Sequence, residues 1–237
     1  MAVLGAWSFT LEVPDLEEGV KFYEEAGLTA SLAGNTARLK CGGQAHESIV
    51  LTGGAPCKKL HHIALRASDL ATMAGLVKAH GGQVIAAPAG FADEGLWIRD
   101  PHGMRIHLVE RPVDPELPPA APFVINAPGR VTRKRRSAMR PGRAYDKVRP
   151  LRLGHVLLFS PDVPRSVAFV TEALGMGLAD RAQDVIAFCC ARKDSDHHVV
   201  AFAKSPDIGF HHGSFQVADP DEVGRGGARV GGQSRPR

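Results

Sequence analysis

Apolar and polar residues alternate in short bursts along this chain, and each burst opens a unit with the same internal order. In the first, Phe9, Leu11 and Val13 alternate with Ser8, Thr10 and Glu12, the period-two pattern of a strand with one buried face. The stretch from Asp15 to Ala26 then reads as a helix whose apolar contacts come from Val20, Phe22, Tyr23 and Ala26. Asp15 suits its N-cap, Glu17 and Glu18 its positive N-terminal end, and Gly27 its stop. Short strands are predicted around Ala37–Cys41 and Glu47–Leu51, separated by Gly42-Gly43 and closed by Gly53-Gly54.

The order then recurs. A second unit gives a strand at His61–Arg66, a helix over Asp69–His80, and strands at Gln83–Ala86, Leu96–Arg99 and Arg105–Glu110. The last two are joined through Asp100-Pro101-His102-Gly103, where Pro and Gly supply hairpin turn chemistry. A third unit runs through strand His155–Phe159, helix Pro164–Ala173 and strands Asp184–Cys190 and His197–Ala203; its Glu172-Ala173-Leu174-Gly175 restates Glu25-Ala26-Gly27. A fourth opens with strand His212–Val217, and Asp219 then precedes a helix-length stretch ending at Gly231-Gly232, as Asp69 precedes the one ending at Gly81-Gly82. A single βαβββ unit leaves one sheet face uncovered, so such units must pair to bury it. The expectation is an α+β protein of two domains of paired βαβββ modules, residues 1–112 and 151–237, with the fourth module incomplete.

Composition changes this picture mainly between the domains. Residues 113–150 shift to Pro, Arg and Lys, and read as a linker. Nine Lys and Arg residues between Arg130 and Arg149 stand against Asp146 alone, which exceeds the whole-chain net charge of +4. The basic character is therefore local. Without a stacking platform or recognition helix beside it, this run reads as a solvated linker or oligomer contact rather than a nucleic-acid site. No apolar run is long enough to span a bilayer, and the first residues lack the basic n-region of a signal peptide. The four cysteines, Cys41, Cys57, Cys189 and Cys190, show no C-x-x-C spacing, so a reducing cytoplasm is the expected compartment.

Candidate chemistry comes from histidines in strands. His155 in Leu153-Gly154-His155-Val156-Leu157 and His212 in Phe210-His211-His212-Gly213-Ser214-Phe215 occupy apolar runs that normally exclude a group needing two hydrogen bonds, which points to metal ligands. His211 is expected to turn away from the face of His212 by alternation. Together, the paired modules, Leu-Gly-His155, His198 in His-Val-Val-Ala-Phe, and Phe-His-His212-x-x-Phe resemble the type I extradiol ring-cleavage dioxygenases of the vicinal oxygen chelate superfamily, across nearly the whole chain.

That resemblance implies Fe(II), with Mn(II) as the alternative, held by His155, His212 and a Glu near the end of the fourth module. It also implies His198 as the acid-base residue, a catechol and O2 as substrates, and a homo-oligomer. Two His and a carboxylate on one face leave adjacent positions open for both reactants. In the first domain, His62 holds the position of His212, Ser8 that of His155 and His107 that of the Glu, and the resemblance implies that this domain is metal-free. The repeat also predicts three strands after Gly231-Gly232, with the ligating Glu, that are not found before Arg237. A truncated or frame-shifted C-terminus with impaired activity is the expectation. The alternatives are a glyoxalase-like isomerase or lyase and a ligand-binding protein or inactive remnant on the same scaffold.

Overall fold

The computed structural model describes residues 2–112, 128–129, 131, 148–192 and 195–231. The basic run of the linker, apart from Arg149, and the last six residues lie outside the described residues, as do Lys193 and Asp194.

Among the described residues the N-terminal sheet has eight strands. β1 (Ala2–Glu12) is central, beside β4 (Ile49–Thr52) in parallel and β5 (Lys59–Ser68) antiparallel. β2 (Thr29–Ala33) and β3 (Thr36–Lys40) extend one side, and β8 (Arg105–Val109), β7 (Leu96–Arg99) and β6 (Gln83–Val84) the other, in the order β2-β3-β4-β1-β5-β8-β7-β6. The C-terminal sheet repeats the first part of this plan. β9 (Arg152–Ser160) lies between β12 (Val200–Lys204), in parallel, and β13 (Gly209–Gln216), antiparallel, with β10 (Gly177–Ala182) and β11 (Ile186–Cys190) outside β12. The helices are α1 (Leu16–Glu25), α2 (Leu70–Ala79), α3 (Val163–Glu172) and α4 (Pro220–Gly231).

Each helix starts from an aspartate. Asp15, Asp69, Asp162 and Asp219 accept from the backbone N–H groups of Glu18, Thr72, Arg165 and Glu222, satisfying donors that a first turn leaves unpaired. The stops are equally local. Gly27 takes φ +96° after α1, and the Val148 carbonyl oxygen would lie 1.7 Å from any Cβ there, so only glycine lets this segment pack.

Two edge strands, β2 and β10, were not among the predicted ones. Both lie at the sheet edge with exposed side chains on most positions, and so carry no alternation to read. The strand predicted from His197 begins instead at Val200, with His197 and His198 in the preceding turn.

The two sheets share one core. Phe9 on β1 meets Phe210 on β13 with ring centroids 4.8 Å apart, and a Cβ at Gly213 would fall 2.6 Å from the Phe9 ring. Fully burying a side chain of this kind contributes roughly 1.5–3 kcal/mol. Polar contacts link the halves as well: the Val3 N–H donates to the Leu174 carbonyl, and His80 beyond α2 reaches Glu172 of α3 at 2.8 Å.

Candidate active site

Strand register brings His155 and His212 together. Phe210 of β13 stands opposite Leu158 of β9, but the next pairing is His212 with Leu157, so His211 is an extra residue on its strand. This β-bulge reverses the alternation at that point. Phe210 stays in the core with Phe9, while His212 joins the face of Leu157, which by period two is also the face of His155. The two Nε2 atoms lie 3.3 Å apart. The doublet in the sequence, read by simple alternation, sends His211 away from the site; the bulge keeps it exposed yet places its Nδ1 2.8 Å from Nδ1 of His212. With that proton on His212, its Nε2 presents a lone pair toward His155.

The electrostatics suit ligation. Burial pushes the His155 pKa down to about 4, reinforced by the positive charge that neighbouring His198 and His212 carry when protonated. Burial also lowers His212, with His211 adding to it, and lowers His198, with His197 and His212 adding. Neutral imidazoles are what a metal requires. Metal–nitrogen bonds of about 2.1 Å at roughly 90–110° separate two donor nitrogens by about 3.0–3.4 Å, so the observed pair fits two neighbouring ligands of one ion. Among the described residues, no group of three His, Cys, Asp or Glu side chains completes such a site. Glu222 instead accepts from the Ala218 N–H at the start of α4, and is held there.

His198 stands beside this pair. Its ring centroid lies 4.1 Å from that of His155 and 5.0 Å from Phe188. His155 and His198 share an open concavity of about 280 Å³ with Arg152, Asp196, Ser214 and Phe215. The turn carrying His198 is fixed by a clamp that sequence reading did not find. Arg152 donates to both carboxylate oxygens of Asp196, at 2.7 and 2.8 Å, and its Nε donates to Gln216 at 2.6 Å. These partners come from three separate segments with no shared periodicity, so nothing in the sequence marks them as a set.

The corresponding places in the N-terminal sheet are built differently. A bulge at His61 sets His62 opposite Thr10, as His212 is set opposite Leu157, but Ser8 replaces the facing imidazole. Among the described residues His62 Nε2 has only Thr10 Oγ1 at 3.5 Å, and His107 donates from Nε2 to the Glu94 carbonyl at 2.7 Å. Burial, with added positive neighbours, drops the His62 pKa to about 3. A cavity of about 450 Å³ lies here, larger than the concavity beside His155 and His198.

Comparison with known proteins agrees with this architecture. Residues 152–231 match the family model of the Glyoxalase/Bleomycin resistance protein/Dioxygenase superfamily. Over 229 residues the chain is 33% identical to metapyrocatechase 2 of Cupriavidus necator, covering 94% of this chain and 68% of that protein. The fold resembles that of the Mn(II)-bound glyoxalase from Novosphingobium aromaticivorans, with a TM-score of 0.74 at 23% identity over 98% of this chain and 72% of the other. The 2,3-dioxygenase LapB from Pseudomonas sp. KL28 is similar too, with a TM-score of 0.73 at 22% identity over 98% of this chain and 81% of LapB. With four repeated modules, paired strand histidines and this relationship to metapyrocatechase, the chain belongs to the Glyoxalase/Bleomycin resistance protein/Dioxygenase superfamily, among its type I extradiol ring-cleavage dioxygenases.

Proposed function

We propose that the C-terminal sheet carries the chemistry of Fe(II)-dependent extradiol cleavage of a catechol-type ring by O2, with His155 and His212 as metal ligands and His198 as the acid-base residue. The observation that carries this reading is the 3.3 Å approach of the two Nε2 atoms, produced by the bulge at His211. The ion would supply one coordination sphere in which both reactants meet; Mn(II) fits the same nitrogen donors. The remaining work falls to the protein. His198, neutral near pH 7 and open to the concavity, accepts a phenolic proton from the ring substrate and returns it to the product. Arg152 and Asp196 hold the turn that aims it. Half-buried Phe215 lines the concavity and limits water around the ring, and Phe188 packs against the His198 imidazole. The carboxylate that completes the ligand set is not among the described residues, and a chain lacking it would bind the ion weakly and turn over slowly.

The test is anaerobic Fe(II) reconstitution followed by metal analysis and oxygen uptake with simple catechols. Metal bound through the His pair and ring cleavage are expected. A chain that binds no divalent metal under these conditions overturns the reading.

A further inference from the structure

The N-terminal cavity has no part in the chemistry proposed above, yet it is built as a ligand site. At about 450 Å³ it lies in the size range of small-molecule pockets. Its walls are aromatic. Trp7 stacks on His46 with ring centroids 3.4 Å apart, Trp97 stacks on His107 at 4.1 Å, and Phe91 closes from the loop before β7, 5.8 Å from Trp97. Such flat walls favour a planar ring.

Its floor is polar and under-used. Ser8 is 9% exposed and makes no side-chain hydrogen bond among the described residues. Thr10 is 1% exposed, and among the described residues its hydroxyl has only the 3.5 Å contact to His62 Nε2. Buried hydroxyls and an imidazole with spare capacity are normally satisfied, and here all three face the cavity. Two arginines also line it. Arg111 is paired with Glu94, whereas Arg38, exposed on β3, forms no ion pair among the described residues.

We propose that this cavity binds a hydroxylated aromatic acid, with the ring between the Trp7, Trp97 and Phe91 walls, the hydroxyl toward Ser8, Thr10 and His62, and the carboxylate toward Arg38. This site is independent of metal and of the His155–His212 pair. It gives the protein a second aromatic-binding site on the sheet that lacks paired ligands.

The protein carries its own reporter, because both of its tryptophans line this cavity. The experiment titrates para-hydroxybenzoate into the full chain and reads tryptophan fluorescence, using metal-free protein with His155→Ala and His212→Ala so that the other site is silent. Saturable quenching is expected. Arg38→Ala, an exposed substitution unconnected with the core, should weaken binding about tenfold, the low end for a hydrogen bond to a charged group. Ser8→Ala should weaken para-hydroxybenzoate more than benzoate. Cyclohexanecarboxylate, with the same charge and no planar ring, should quench far less. Absence of saturable quenching up to the solubility limit, or quenching that Arg38→Ala leaves unchanged, overturns the proposal. Neither result bears on metal binding at His155 and His212, which is assayed separately.

Discussion

Place for place, the two sheets differ at the residues that decide chemistry and agree at those that decide shape. Both contain a central strand with one parallel and one antiparallel neighbour, and both bulge at the first residue of a His-His doublet, His61 or His211. The registers then equate Trp7 with Gly154, Ser8 with His155, and Glu47 with His198. Gly154 borders the small concavity beside His155, where the first sheet has the Trp7 indole in its cavity wall. A second imidazole converges on His212, where a hydroxyl faces His62. One scaffold therefore yields a close pair of imidazoles in one sheet and a hydroxyl-floored cavity in the other, through side chains on equivalent strands. The aromatic walls of that cavity also draw on β7, β8 and the loop before β7, which have no counterpart among the described residues of the second sheet. The bulge is common to both sheets and cannot be what separates them.

The largest effect should come from removing a donor. His155→Ala or His212→Ala is expected to lower Fe(II) or Mn(II) affinity by about 100-fold or more, since even outer partners of ligands are worth roughly 10–100-fold. His62→Ala, at the place equivalent to His212, should leave metal content unchanged. Metal analysis after dialysis reads both, and equal loss from the two sheets would erase the distinction drawn between them. Next in size, His198→Gln should reduce ring-cleavage turnover by roughly 100- to 10,000-fold, the usual share of a general acid-base group, with metal occupancy intact. Oxygen uptake at saturating catechol measures it, and a full rate in the variant removes His198 from the proton path.

Much of this contrast was legible in the sequence, for identifiable reasons. Asp15, Asp69 and Asp219 and the helix-length stretches after them are local signals, and those three helices begin just after their aspartates. Asp162 caps the third helix in the same way, and that helix begins at Val163, one residue before the predicted start at Pro164. His155 and His212 stood out because imidazoles are anomalous in apolar strands. What escaped was whatever depends on pairing at a distance. β2 and β10 hide as exposed edges, with Leu32 63% and Leu178 42% exposed, so no buried face imposes a pattern. The bulge at His211 is a property of register between two strands, and alternation along one strand assigns that residue only to the opposite face. Arg152 and Asp196 are 44 positions apart, and surface charges carry no periodicity.

A smaller effect separates the sheets by acidity. His62 is held neutral by burial, with a folded pKa of about 3 against an ordinary value of 6.5. Above pH 6.5 neither the folded nor the unfolded form takes up a proton here. As pH falls from 6.5 toward 3, the unfolded chain is protonated first, so stability is lost by up to about 1.4 kcal/mol per pH unit. Between pH 6.5 and 5 that amounts to about 2 kcal/mol from this one side chain. The other strand histidines with lowered values act in the same direction, so the expected observation is a difference. In urea denaturation, His62→Gln should lose less stability on acidification than the parent does. Equal losses would mean that His62 is protonated in the folded state.

The finest test concerns the clamp, which among the described residues is found in the C-terminal sheet alone. By register, Gly5, Ala45 and Arg66 stand where Arg152, Asp196 and Gln216 stand, so the first sheet has a guanidinium at the place of Gln216 but no carboxylate at that of Asp196 for it to clamp. Arg152 and Asp196 are 33% and 42% exposed, and an exposed pair contributes only about 0.2–1 kcal/mol to stability. Their effect on position is expected to outweigh that. Bidentate geometry fixes the plane of the Asp196 carboxylate, and with it the turn that carries His198 two residues on. Arg152→Ala should lower kcat by about three- to tenfold, a cost of the kind that misplacing a reacting group incurs, while KM, metal content and urea midpoint change little. Asp196→Asn should do the same. If both act through one contact, the double variant should be no slower than either single one, because non-additivity is the mark of a shared interaction. Additive losses would show that the two residues touch the reaction separately, and that the turn is held in place by something other than this pair.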